Sequence, residues 1–225
     1  MPLAANPTLE SNALFDALLL AATGGMLDAN VFVNHGHVFA SSMTGNVVFL
    51  GIAVFSEDWR EIVRHLVPIG GFLVGVIASK YVRSRLTGRS LLLFGITFEA
   101  LVLFALGWLP INYPHMVFTI IIAFVAAFQV ASYRRVQSFS YNSTFVTGNL
   151  RDVAEGLYDA IAPSAILEVR EKGRAQALDF GLICLCFLAG AVIGASTAPR
   201  FGNFSLWFAE PFLITAALRA FRRSS

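Results

Sequence analysis

Two Thr-Gly-Asn triplets and three acids in apolar surroundings are the residues of this chain whose types and spacing could do chemistry. The triplets are Thr44-Gly45-Asn46, entered from Ser42-Met43, and Thr147-Gly148-Asn149, entered from Phe145-Val146. The acids are Asp28, Glu99 and Glu210. Each triplet follows a long apolar segment and opens a shorter one, the pattern of a helix start built into a duplicated unit. A threonine hydroxyl there caps the first turn, and a glycine leaves the helix amides open to a close neighbour. The asparagine amide both donates and accepts. Two such starts facing each other would hold a polar or anionic solute, because a helix start presents free N–H groups and a partial positive charge. Capping and close packing alone would also account for the triplets. The substrate-binding residues expected are Thr44, Gly45, Asn46, Thr147, Gly148, Asn149 and Gln129, with Gln129 also the polar partner expected for Glu99 or Glu210 across the bundle. Asp28, Glu99 and Glu210 are expected to couple to a proton or cation, since a carboxyl in hydrocarbon needs a partner or a proton.

The segments that must position these residues are oily. Apolar residues make up 56% of the 225 residues and charged residues only 13%, against about 25% charged in soluble domains. Runs at Ala13–Val33, Leu66–Val82, Ser90–Leu109, Val117–Ser132, Ala177–Ala195 and Ser205–Phe221 are each close to the roughly 20 residues that span a bilayer. Phe39–Phe55 and Phe145–Tyr158 are shorter. The second carries Arg151, Asp152 and Glu155 opposite an apolar stripe of Leu150, Val153, Ala154, Leu157 and Tyr158, which makes it amphipathic. Treated alike, these two segments are broken or re-entrant elements.

The fold expected is therefore an all-α polytopic membrane protein. It has about six transmembrane helices in two inverted three-helix repeats, residues 1–110 and 111–225, each with a short broken or re-entrant helix. Three spans per repeat is an odd number, so the second copy enters from the opposite side. Gly71-Phe72-Leu73-Val74-Gly75 echoes Cys186-Phe187-Leu188-Ala189-Gly190, and Glu99 and Glu210 take comparable middle positions in the third spans. Arginine and lysine follow the second span (Lys80, Arg83, Arg85, Arg89), the fourth (Arg134, Arg135), the sixth (Arg219, Arg222, Arg223) and precede the fifth (Arg170, Lys172, Arg174). All four clusters fall on one side, which the positive-inside rule makes cytoplasmic together with both termini. Arg60, Arg64 and Arg200 fall on the other side.

The ordered set Gly25-Met26-Leu27-Asp28-Ala29, Gly36-His37-Val38-Phe39, Met43-Thr44-Gly45-Asn46, Phe128-Gln129 and Thr144-Phe145-Val146-Thr147-Gly148-Asn149-Leu150 resembles the DUF1275 family of YoaK-like membrane proteins. The resemblance extends over nearly the whole chain. It implies a multi-pass protein of the bacterial inner membrane, and brings no substrate or catalytic residue with it.

Other chemistry is poorly supported. His35 and His37 share a polar link but do not make a coordination sphere, and His65 and His115 add no cluster to them in sequence. Cys184 and Cys186, at i and i+2, do not share a helix face, so neither a disulfide nor a metal pair is expected. No HExxH, phosphate-binding loop, nucleophile elbow or paired CxxC occurs. The reading is of a non-enzyme without cofactor or metal. Its partners are membrane lipid, a small polar solute or anion, and a homo-oligomer or membrane-protein partner, with no nucleic acid. The function expected is a secondary transporter, proton-coupled, and the competing one is a membrane scaffold or signalling component.

Overall fold

The computed structural model describes residues 7–86, 88–132, 135–136, 139–140, 146–162 and 166–222. Helices run α1 (Pro7–Asn34), α2 (Met43–Phe55), α3 (Trp59–Arg83), α4 (Gly88–Gly107), α5 (His115–Ser132), α6 (Val146–Ile161), α7 (Leu167–Phe201) and α8 (Glu210–Arg222). A 3-10 segment, Gly202–Phe208, joins α7 to α8. Two-residue strands, Arg135–Val136 and Phe139–Ser140, pair antiparallel between α5 and α6.

Five stretches are long and apolar enough to cross a membrane: Leu14–Asn34, Trp59–Arg83, Ser90–Gly107, His115–Ser132 and Leu167–Arg222, the last taking in α7, the 3-10 segment and α8. The molecule is an all-α polytopic membrane protein. Its girdle exposes large apolar side chains, among them Leu73, Ile77, Leu101, Leu185 and Val192, a surface that water would not tolerate and acyl chains do. Four polar residues of α1 turn the other way: Asp16, Thr23, Asp28 and Asn30 are all buried.

Close backbone packing fixes the two main helix pairs. Cβ atoms at Gly190 and Gly194 of α7 would collide with the carbonyls of Ala22 and Met26 on α1. On the other pair, a Cβ at Gly71 of α3 would come within 2.6 Å of the Ile120 carbonyl of α5, and one at Gly75 would overlap that of Phe124. In both pairs a glycine four residues on meets a carbonyl four residues on, so the paired helices run in the same direction. Both are small-xxx-small crossings that bring the backbones together without side chains between them. The echo between the two halves is thus one turn away from the sequence expectation. Gly71 and Gly75 match Gly190 and Gly194 in role, not Cys186 and Gly190. Around these pairs α2 packs on α3, α6 on α7, α4 on both α5 and α8, and α8 on α1.

The last apolar run also differs from its expected form. The first four residues of Ser205–Phe221 belong to the 3-10 segment, and α8 starts only at Glu210. Glu210 is therefore the first residue of its helix, whereas Glu99 lies within α4.

Adjacent glycines in α3 offer a controlled test of the crossing. Gly70 has open space around it, and Gly71 faces the Ile120 carbonyl. Gly71→Ala should destabilise the purified protein by about 1–3 kcal/mol through overpacking. Gly70→Ala should be neutral or gain up to about 1 kcal/mol from helix propensity. Thermal unfolding of both variants in detergent checks this.

Candidate functional site

The first Thr-Gly-Asn element is a strut. After α1 the chain turns through His35–Ala40 and returns to the level of Asp28, where α2 begins. Asp28 is buried, and its carboxylate accepts the Ser41 backbone N–H at 2.7 Å and the hydroxyls of Ser41, at 2.9 Å, and Ser42. Ser42 is the N-cap of α2, but its hydroxyl serves Asp28 and makes no cap bond. Asn46 is fully buried; its carbonyl oxygen accepts the Phe39 N–H at 2.9 Å and its amide donates to the Phe39 carbonyl at 2.8 Å. Gly45 leaves room for the Phe39 ring, against which a Cβ would lie at 2.5 Å. These bonds satisfy backbone groups that hydrocarbon could not.

Several sequence-derived roles change accordingly. Thr44 is the second residue of α2 and exposed, so it is not the cap. Thr147 is likewise the second residue of α6. Gly45 and Asn46 are occupied with Phe39. The acidic side chain set against the start of α2 is Asp28 itself. In the second triplet Asn149 is buried within α6, and Gly148 lies beside it; the approach at 141–145 is outside the described residues, as is Arg134. Because α2 packs on α3 and α6 on α7, the two triplets sit on different helix pairs.

The remaining acids behave differently. Glu99 of α4 is buried, within electrostatic reach of Glu210 and beside the amide of Gln129 on α5. The amide does not close a hydrogen bond of good geometry. Both Glu99 carboxyl oxygens, Gln129 Nε2 and Glu210 Oε1 are buried without a hydrogen-bond partner among the described residues. Glu99, Gln129 and Glu210 are thus brought together from α4, α5 and α8, with open hydrogen-bonding capacity.

One cluster has no signal in the sequence. His35 is fully buried, stacks on Phe118 at 3.6 Å between ring centroids, and meets Asn203 Oδ1 through Nε2 at 2.8 Å. Its Nδ1 lies 3.1 Å from Nδ1 of His115. Asn203 donates to the Leu109 and Pro110 carbonyls, and Asn34 to the Ala198 carbonyl at 3.1 Å. Asn30 donates to Ser205. This knot ties the ends of α1 and α7 to the α4–α5 connection. Eighty residues separate the two histidines in sequence, so spacing could not pair them. Among the described residues no group of three or more metal-ligating side chains occurs, and Cys184 and Cys186 are free and half-buried.

Asn46→Ala removes both partners of Phe39 and should cost about 2 kcal/mol or more. Thr44→Val, on an exposed uncapped position, should stay within about 0.5 kcal/mol. Unfolding of the two purified variants side by side separates strut from surface. The histidine knot predicts a pH signature. Burial pushes the His35 imidazole down to about 4, against the pull of the Asn203 carbonyl. Between its ordinary value near 6.5 and 4, the unfolded chain binds a proton that the folded one refuses. Stability is therefore complete above 6.5 and falls as pH drops through that window, by up to roughly 3 kcal/mol. Unfolding curves at several pH values should show a shallower acid slope for His35→Gln than for the native chain.

Comparison with known proteins follows the same outline. Residues 17–218 match the family described as protein of unknown function DUF1275. The chain is similar to the UPF0700 transmembrane protein YoaK of Bacillus subtilis (strain 168), with 25% identity over 198 residues, covering 84% of this chain and 85% of YoaK. No solved structure matches. A match over most of the chain, carried by a polytopic helical bundle of bacterial type, places this protein in the DUF1275 family of multi-pass membrane proteins.

Proposed function

We propose that the protein is a secondary transporter of a small polar solute, coupled to protons through Glu99 with Glu210 and Gln129 around it. The observation that carries this reading is the pair of buried side chains Glu99 and Gln129, with half-buried Glu210 beside them, each holding a buried polar atom without a hydrogen-bond partner among the described residues. Ionisable groups at such depth are costly, and their usual return is a proton, an ion or a polar ligand. Two carboxyls near one another repel a bound anion and favour a shared proton or a cation. Asp28 already answers the start of α2, so the anionic solute suggested by paired helix starts gives way to a neutral or cationic one.

The same proposal includes six spans in two inverted repeats, residues 1–110 and 111–225, with α2 and α6 turning back. Parallel α1 and α7 require α2 and α6 to behave alike, both crossing or neither. α6 carries Arg151, Asp152, Glu155 and Asp159 in 16 residues, a charge load that supports turning back over crossing. The 13 residues of α2 reach about 20 Å, short of a hydrocarbon core of about 30 Å. The basic ends of α3 and α8 then share the cytoplasmic side of a bacterial inner membrane with both termini. In this orientation Trp59 at the start of α3 and the contacting rings of Trp108 and Trp207 would fall on the opposite side.

Two experiments test these claims. Protein in sealed vesicles, screened with a panel of polar solutes, should show flux that depends on an imposed pH gradient. Glu99→Gln and Glu210→Gln should retain solute binding and lose that dependence. Absence of flux in folded protein, or unchanged pH dependence in folded Glu99→Gln, removes the assignment and favours a scaffold. Single cysteines near Arg85, Lys172 and Arg219 should react from the cytoplasm, and those near Arg60 and Pro110 from the other face. A crossing α2 would put Arg60 and Arg85 on swapped sides.

A further inference from the structure

Where α3 and α5 end, a cavity of about 290 Å3 opens between them, lined by Val76, Ser79, Lys80, Arg83 and Ala131. Its floor is built: Ser79 is buried and shares a hydrogen bond with Ser132 at 3.0 Å, and Arg83 donates through Nη1 to the Ala131 carbonyl at 3.3 Å. That bond uses one of the five guanidinium N–H groups, and the others have no hydrogen-bond partner among the described residues. Neither Lys80 nor Arg83 has an acidic partner among the described residues. The chain from Leu66 to Phe98 contains no Asp or Glu, so Lys80, Arg83, Arg85 and Arg89 concentrate uncompensated positive charge at this end.

The cavity lies at the end of the candidate span Trp59–Arg83, where a bilayer around this helix would have its interface. Tyr81 next to it is exposed, with the Arg85 guanidinium over its ring at 5.5 Å, the arrangement of an aromatic belt. Toward the bilayer interior the same side of α3 becomes apolar. Val76 lines the cavity, and Leu73, two turns before Lys80 on the same face, is 58% exposed. A phosphate held by Lys80, Arg83 and the Ser79 hydroxyl would therefore have a hydrocarbon track directly beneath it, about 10 Å long from Lys80 to Leu73.

We propose that this cavity is a binding site for an anionic glycerophospholipid, with the phosphate between Lys80 and Arg83 and one acyl chain along Val76 and Leu73. Basic pockets between membrane helices take anionic headgroups, each cation contributing about 1 kcal/mol, or about fivefold. The volume suits a phosphoglycerol group, and the apolar track separates a lipid from a free phosphate.

The test uses the full chain in phosphatidylcholine nanodiscs doped with phosphatidylglycerol, stripped by mild detergent and read by native mass spectrometry. Retained phosphatidylglycerol should exceed its share of the bulk lipid. Lys80→Gln should cut that enrichment about fivefold, and Arg83→Gln by a similar factor. Val76→Trp fills the track and should reduce retention with every charge in place. Arg83 also holds the end of α5, so Lys80→Gln, on an exposed side chain, decides the matter if the Arg83 variant unfolds. Equal retention of the two lipids, or enrichment unchanged in folded Lys80→Gln, overturns the site. Inorganic phosphate that displaces the lipid as well as glycerophosphoglycerol does, with Val76→Trp without effect, overturns the lipid assignment and leaves a free-anion site.

Discussion

A chain that leaves a helix inside hydrocarbon must supply its own partners for every exposed N–H and C=O, because no water is there to do so. The structure between α1 and α2 depends on this rule. Asp28 takes the Ser41 N–H and two hydroxyls, and Asn46 pairs with both backbone groups of Phe39. A carboxylate that would be costly alone becomes affordable with three donors around it. Gly45 and Asn46, which look available for a ligand in sequence, are engaged with Phe39 instead. Polar atoms of Glu99, Gln129 and Glu210 are left unmatched among the described residues.

The rest of the bundle follows from how tightly its members approach. Gly71, Gly75, Gly190 and Gly194 let two pairs of helices meet carbonyl to Cα. In a solvent as apolar as leucine, association has to come from such contact and from interhelical hydrogen bonds. The hydrogen bonds concentrate where His35, Asn203, Asn34 and Asn30 tie α1 to α7 and the 3-10 segment. Tight seams thus run along the helices, and a polar clasp closes one end. Glu99 and Gln129 lie on α4 and α5, away from the α1–α7 seam, in the part of the interior where polar groups are not used up by packing.

Helix positions were legible because hydropathy responds to a bilayer directly. Each Thr-Gly-Asn also marked a helix start to within two residues, although Ser42, not Thr44, takes the cap position. The proximity of Gln129 to Glu99 was readable too, since an isolated amide in an apolar span needs a partner. What escaped was information that only three dimensions hold. Glu210 looked central because Ser205–Phe221 is continuously apolar, and composition cannot reveal that a 3-10 turn consumes its first residues. The one-turn error in the glycine echo has a similar origin. Gly75 and Gly190 both sit in Phe-Leu-rich text, whereas the functional match is the spacing of two glycines facing two carbonyls. His35 and His115 are joined by folding alone.

α1 finds its main partner in α7, and α3 finds its own in α5. More than half of the chain lies between the end of α1 and the start of α7. During synthesis, then, α1 enters the bilayer with Asp16, Asp28 and Asn30 on a face that has no neighbour yet. Asp28 can turn at once to Ser41 and Ser42, which emerge soon after it. The contact of Asp16 with Arg219, 3.3 Å away in the finished protein, forms only once α8 has followed. The earliest of the described helices is thus completed by the latest, and the interior of this bundle cannot close until α8 has followed α7 into place.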